Sequence, residues 1–144
     1  MNLADTLKVL LSDVVSLYFR AHGHHWNVEG QDFSQYHDLF SDIYEDVYGS
    51  IDPIAENIRK LGDYAPFRLE RFVELKGVPD MNRTATDARS LATDLLEAND
   101  YIVNQLKSAF KVATDADEQA IANFIADRLD MHQKWSWQLK ASTK

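Results

Sequence analysis

Four long stretches of this chain repeat their apolar residues every three or four positions, and one long interval separates the second stretch from the third. Apolar residues at this spacing lie on one side of an α-helix. The stretches cover residues 3–26 and 33–61, then begin again near Thr84 and after Thr114-Asp115. We therefore predict four long amphipathic helices that bury their apolar sides against one another.

The interval between the second and third stretches decides how these helices connect. Residues 62–83 contain Pro66, Gly77 and Pro79, together with a short amphipathic piece at residues 69–75. One long connection after the second helix is the connectivity of ferritin-like bundles, whereas short loops throughout would indicate an up-and-down bundle. The predicted fold class is all-α: a ferritin-like four-helix bundle whose crossover between helices 2 and 3 carries a short helix.

Local signals predict how some of these helices begin and bend. Thr84 and Asp87 resemble a capping pair for the third helix, and Asp115 with Glu118 marks the start of the fourth. Pro53 removes a backbone donor inside the second helix, so we expect a kink close to it. The alternative is that one helix ends there and another starts at Asp52.

Length, charge and composition limit the class of protein. A chain of 144 residues has the size of one domain, so residues 1–144 are predicted to form one. The absence of cysteine excludes disulfides and thiolate metal sites. No targeting segment or membrane span is predicted, which favours a cytoplasmic protein. The net charge of −8 disfavours nucleic acid as a partner.

Histidines and carboxylates are concentrated between residues 21 and 56. His25 ends the first apolar pattern and His37 lies early in the second, so both can converge at one end of a helical hairpin. Asp52 and Glu56 are four residues apart and project from one face of a helix. Imidazoles favour transition metals and carboxylates favour hard cations, so the mixed set indicates iron rather than calcium.

These four side chains cannot meet within one chain. In a continuous helix, the fifteen positions from His37 to Asp52 span about 22 Å. A two-fold dimer with antiparallel helices would bring the histidines of one subunit against Asp52 and Glu56 of its mate. The spacing therefore predicts two identical metal sites between subunits.

The motifs that carry this pattern resemble those of the Dps family, the mini-ferritins. The first motif is His25-Trp26-Asn27 followed by Gly30, Phe33 and His37, and the second is Asp52, Ala55, Glu56, Ile58, Leu61 and Gly62. The likeness continues through residues 64–75 and the closing residues 137–141 and so covers nearly the whole chain.

This resemblance implies a hollow homododecamer that oxidises ferrous iron with peroxide or oxygen and stores the ferric mineral. The ligands would be His25 and His37 from one subunit and Asp52 and Glu56 from the other, with zinc a possible substitute for iron. Trp26 would lie beside the site. The family commonly has an aspartate one turn after the second histidine, where this chain has Ser41.

That departure keeps a second function open, a catalytically weakened cage with a structural, metal-binding or DNA-shielding role. Many members of the resembled family bind DNA through a lysine-rich N-terminal extension. Here helical periodicity begins at Leu3, so DNA binding is not expected.

For the remaining polar and aromatic candidates, a structural interpretation is available in every case. His22, His24 and His132 are interpreted as structural, since none has a matched partner. Tyr44 and Tyr48 share a helix face with His37, so they are either electron donors or interface residues. Asp115, Asp117 and Glu118 form either an iron-attracting pore, as in the resembled cages, or the acidic start of a helix. No Glu-x-x-His pair of an intrabundle di-iron site is present.

Overall fold

The computed structural model describes every residue, Met1 to Lys144, and its regular secondary structure is entirely α-helical. The only strand-like pairing is an isolated bridge between Glu29 and Asp87. The all-α prediction is confirmed. The helices are α1 (Leu3–Asn27), α2 (Phe33–Lys60), α3 (Leu69–Leu75), α4 (Ala88–Asp115) and α5 (Gln119–Ser142).

The four long helices pack as two pairs. α1 lies along α2, α4 lies along α5, and contacts between α1 and α4 join the pairs. Thirty buried hydrophobic residues, among them Leu7, Phe40, Leu95 and Ile125, form one continuous core. α3, the short helix of the crossover, packs on α1, so the predicted four-helix bundle with a helix in its long crossover is confirmed.

A buried carboxylate ties the crossover to the bundle. Asp13 of α1 is fully buried and accepts hydrogen bonds from the backbone N–H groups of Gly77 and Val78, at 2.8 and 2.9 Å. The side-chain amide of Gln105 on α4 donates to its other oxygen at 2.9 Å. Because one carboxylate joins three segments, it sets where the crossover returns across α1 and α4.

Two predicted helix starts were wrong. α4 begins at Ala88 rather than near Thr84, with Asp87 as the N-cap accepting from the Ser90 N–H. Upstream of that cap, the carbonyl of Thr86 accepts the Glu29 N–H, and this contact holds the backbone extended. α5 begins at Gln119, because Thr114 and Asp115 complete the last turn of α4.

α2 runs through Pro53 as a single helix. The alternative of a new helix starting at Asp52 is therefore wrong. Pro53 has no N–H for the carbonyl of Gly49 to accept, but Gly49 is exposed, so water can supply the missing donor. Because α2 is continuous, His37 near its start and Asp52 in its second half are held about 22 Å apart along the helix axis.

Candidate metal centre

His25 and His37 meet where α1 turns into α2. Two residues in the connecting loop, Gly30 and Asp32, have φ values of +98° and +64°, which reverse the chain within a few residues. A glycine suits the first of these positions because side chains rarely adopt a positive φ. The imidazole rings stack with centroids 3.7 Å apart and planes 18° apart, so the predicted convergence of the two histidines is confirmed.

Reciprocal hydrogen bonds orient both rings. Nδ1 of His25 lies 2.8 Å from the carbonyl oxygen of His37, and Nδ1 of His37 lies 2.8 Å from the carbonyl oxygen of His25. A carbonyl only accepts, so each Nδ1 carries the hydrogen and donates it. The tautomer this selects leaves the Nε2 lone pair of each ring free, which is how a protein commonly orients histidine toward a metal.

Asp52 and Glu56 lie on the exposed surface of α2, one turn apart. Because α2 is continuous, Asp52 is about 22 Å along the helix axis from His37. Within the chain, no group of three or more histidine, aspartate or glutamate side chains converges to hold a metal ion. One protomer thus presents two imidazoles at one end of α2 and two carboxylates toward the other, and the role of all four as ligands stays a prediction.

Ser41 occupies a half-buried position on α2 one turn after His37. Its hydroxyl is uncharged and is a weaker metal ligand than a carboxylate. The acidic residues nearby, Asp38, Asp42 and Glu45, are all exposed. Asp38 and Asp42 differ from Ser41 in their angle around the helix, and Glu45 lies one turn further along it, so none takes over the position of Ser41 directly.

An aromatic cluster adjoins the histidine pair. The ring of His22 stacks on Tyr44, with centroids 3.8 Å apart and planes 11° apart, and the Trp26 ring also lies close to it, at 4.4 Å. Partial burial, and then the nearby imidazole of His25, lower the pKa of His22. The hydroxyl of Tyr18 lies 2.8 Å from His22 Nδ1. Partial burial, and then Tyr48 and Tyr44, raise the pKa of Tyr18.

Two members of this cluster, Tyr18 and His22, are not among the site residues predicted from the sequence. Tyr18, His22 and His25 follow one another at intervals of four and three along α1, which places them on one helix face. That spacing was the available signal. The spacing alone does not show which aromatic residues of α2 face Tyr18 and His22. The packing of α1 against α2 shows this.

His24 and His132 are structural, as predicted. His24 is buried and its Nε2 lies 2.8 Å from Asp94, which Arg20 also approaches at 3.4 Å. His132 is buried in a network with Asn99 and Arg128. Both rings are held by protein partners inside the bundle.

The acidic residues predicted to line a pore lie at the turn between α4 and α5. Asp115 and Asp117 are exposed, and Asp117 has a φ of +57° that turns the chain. Glu118 precedes α5 without capping it through its side chain. Their exposure is compatible with either interpretation, so the pore stays a prediction.

Comparison with known proteins defines the class to which this fold and these motifs belong. Residues 4–144 match the ferritin family, described as the ferritin-like domain. The DNA protection during starvation protein of Helicobacter pylori is 28% identical over 141 residues, which cover 98% of each protein. The protein of the same description from Brevibacillus brevis is 30% identical over 130 residues, covering 88% of this chain and 85% of the relative.

Solved structures show the same helix arrangement. A Dps protein from Bacillus brevis superposes with a TM-score of 0.93 at 27% identity, covering 99% of this chain and 95% of that one. The Dps protein of Vibrio cholerae O1, described as a member of a broad superfamily of ferritin-like diiron-carboxylate proteins, gives 0.93 at 25% identity, with 99% and 89% covered. The chain belongs to the Dps family of ferritin-like proteins.

Membership of this family supports a general role in iron storage and protection against oxidative stress. The ferritin-like fold class also suggests iron as the metal that is bound. None of the five helices combines the length and the apolar character needed to cross a membrane.

Proposed function

We propose that this protein is a ferroxidase that oxidises ferrous iron at sites shared by two-fold-related subunits and stores the ferric product inside a dodecameric cage. The observation that carries the proposal is the reciprocal hydrogen bonding of the stacked His25 and His37 rings, which leaves the Nε2 atom of each ring free. Two such nitrogens are an incomplete ligand set for iron. An antiparallel mate would complete it with Asp52 and Glu56, which are exposed on the same helix.

In this mechanism iron is the substrate. The two imidazoles bind ferrous iron through Nε2, while the carboxylates of the neighbouring subunit neutralise its charge and favour the ferric state. Peroxide accepts two electrons, one from each of two ferrous ions, together with two protons from solvent, and becomes two water molecules without releasing a hydroxyl radical. The backbone carbonyls that hold both Nδ1–H groups keep the rings in place while the charge of the iron changes.

Ser41 is the observation that favours the second candidate function, a cage with a weakened centre. If the second iron binds poorly, each ferrous ion meets peroxide alone, and a one-electron step yields hydroxyl radical. The protein would then act through sequestration or a structural role more than through catalysis. Zinc as a substitute for iron stays a prediction.

Anaerobic titration with ferrous iron, followed by peroxide, separates the two candidates. Binding of about two irons per site, with oxidation faster than in buffer, supports the ferroxidase. One iron or fewer, with oxidation no faster than in buffer, would leave the weakened cage. The mass of the oligomer, measured on the same sample, tests the dodecamer.

Subunit complementation tests whether the site is shared. One variant carries His25→Ala and His37→Ala, and the other carries Asp52→Asn and Glu56→Gln, so neither alone holds a complete set. In cages assembled from an equal mixture, about a quarter of two-fold sites regain all four ligands. We expect about that fraction of wild-type oxidation to return. No recovery in well-formed mixed cages would refute the shared site, and Asp130→Asn, an exposed carboxylate of α5, serves as the control.

The remaining parts of the proposal concern the whole assembly. The single core of thirty buried residues supports treating residues 1–144 as one domain. We place the cage in the cytoplasm. The charge of −8 per chain disfavours DNA as a partner. A gel shift at low salt tests that last point, because retention by the cage would contradict the charge argument.

A further inference from the structure

The guanidinium of Arg128, on α5, is held by a carboxylate from α2 and by an imidazole from its own helix. Its Nη1 and Nη2 atoms donate to the two carboxylate oxygens of Asp46, each at 2.9 Å. Nη2 also lies 3.1 Å from Nε2 of His132. A carboxylate and an imidazole therefore converge on one nitrogen atom of a positively charged group.

The hydrogen bonds around His132 determine which of its ring nitrogens keeps a lone pair. The side-chain amide nitrogen of Asn99 donates to the carbonyl oxygen of His132 at 2.7 Å, so the amide oxygen is the atom that faces the ring. Nδ1 of His132 lies 2.8 Å from that oxygen and must donate to it. Nε2 therefore keeps its lone pair on the side of Arg128. Histidines that bind metals are commonly oriented in this way, by a hydrogen bond from the other ring nitrogen.

Asp46 is also held in place, and it is open to solvent on one side. The indole N–H of Trp135 donates to Oδ2 of Asp46 at 2.7 Å. The Asp46 side chain is 22% exposed, so a cation from solvent can reach it. Arg128 is buried, and its Nε has no acceptor. The acceptors thus gather at one end of the guanidinium instead of surrounding it, which also suits a single point of positive charge.

We propose that Asp46 and His132 form a binding site for a divalent transition metal, and that Arg128 fills this site with its own charge and so keeps iron out of the bundle. Carboxylate oxygen and imidazole nitrogen are donors that bind iron, cobalt and zinc. The guanidinium is tethered beside them, whereas a metal ion must enter from dilute solution. The role in iron placement rests on the proposed function, because this exclusion leaves the His25/His37 pair as the place where iron binds.

Removal of the guanidinium should open the site. Oxygen and nitrogen donors lie about 2.0–2.2 Å from a metal such as zinc. Asp46 Oδ2 and His132 Nε2 are 2.9 and 3.1 Å from Nη2 of Arg128, so each needs to approach by only about 1 Å to bind an ion at that point. Water fills the remaining coordination positions, so we expect reversible binding.

The first experiment uses cobalt(II), counted by equilibrium dialysis and followed by its visible absorption, which changes when an imidazole coordinates the ion. All variants carry His25→Ala and His37→Ala, which remove the other histidine pair. Arg128→Ala should then bind about one more cobalt ion per chain than the protein that keeps Arg128. Adding His132→Gln should abolish the extra ion. Arg128→Lys is the matched control and should gain no cobalt, because it keeps a positive charge.

A folded Arg128→Ala oligomer that gains no cobalt, or that keeps the extra ion after His132→Gln, would overturn the proposal. If Arg128→Ala does not assemble, it is refolded with and without cobalt, because a metal that binds only the folded chain stabilises it. Recovery that requires both cobalt and His132 supports the site, and no recovery with cobalt overturns it. In the chain that keeps Arg128, a loss of bound cobalt on His132→Gln would contradict exclusion by the guanidinium.

Asn99 is a positioning residue, because it orients His132 without facing the metal. In the Arg128→Ala chain, Asn99→Ala removes the acceptor of the Nδ1 hydrogen and should weaken cobalt binding about tenfold to a hundredfold. Unchanged affinity, in a variant with wild-type helix content and oligomer mass, would contradict this role.

The second experiment titrates ferrous iron anaerobically into chains that keep His25 and His37. Arg128→Ala should bind about one more ferrous ion per chain than wild type. If wild type binds iron and Arg128→Ala gains none, exclusion of iron by Arg128 is wrong while the proposed function stands. If wild type binds no iron, the proposed function fails, and the cobalt experiment alone decides whether Asp46 and His132 form a metal site.

Discussion

Acid should destabilise this protein through His132, and the structure sets the size of the effect. The ring is 1% exposed, with Nδ1 2.8 Å from Asn99 Oδ1 and Nε2 3.1 Å from a guanidinium nitrogen of Arg128. Since the guanidinium only donates, Nε2 must be unprotonated. Burial, and then the charge of Arg128, lower the pKa of His132 from 6.5 to about 3, although Asp46 opposes them.

Proton linkage gives the direction in which the free energy of unfolding changes with pH. Between the two pKa values the unfolded chain binds a proton at His132 that the folded protein refuses, so the free energy of unfolding falls as pH falls below 6.5. At about 1.36 kcal/mol per pH unit, moving from about pH 7.5 to about pH 5 should remove about 2 kcal/mol. Above the unfolded pKa the group contributes no pH dependence.

Urea unfolding of wild type and His132→Gln at both pH values measures this contribution. Both proteins need the same protomer concentration, because association adds to apparent stability. His22, whose pKa is also lowered, is present in both, so subtracting the two pH dependences isolates His132. If wild type loses no more stability than His132→Gln on acidification, the argument from the buried neutral ring is refuted.

The other predictions test the site and the packing. Ser41→Asp should raise the rate of iron oxidation about tenfold, measured optically after peroxide addition, and no change would make the account of Ser41 wrong. Asp13→Ala leaves the buried Val78 N–H and its neighbour without an acceptor and should cost about 2–4 kcal/mol in urea unfolding. Phe40→Ala opens a cavity in the core and should cost about 3–5 kcal/mol by the same assay. Gly77→Ala puts a Cβ into the hydroxyl of Tyr101 and should cost about 1–3 kcal/mol, part of which Tyr101→Phe should restore.

Helix existence was predictable from the sequence because it depends on local apolar periodicity. The short helix at residues 69–75 matches α3, and the end of α1 is within one residue of its predicted position. The start of α4 was not predictable. Thr84 and Asp87 offered a plausible cap, but Asp87 itself caps the helix while Thr86 pairs with Glu29 of the α1–α2 loop. That pairing joins residues far apart in sequence, so no local pattern reports it.

Some features of the candidate site were likewise predictable from local sequence, and others depend on contacts between helices. The sequence by itself determined that His25 and His37 stand at one helix junction and that Asp52 lies a fixed distance along α2, because a helix break and a helical rise are local properties. Only the tertiary structure decided which ring nitrogens stay free, since that depends on carbonyl groups of the facing helix. It also decided that Tyr18 and His22 of α1 meet Tyr44 of α2. Helix periodicity limits which face of each helix is buried, whereas the identity of the residues across an interface depends on the rotation and offset of two packed helices, which neither helix encodes alone.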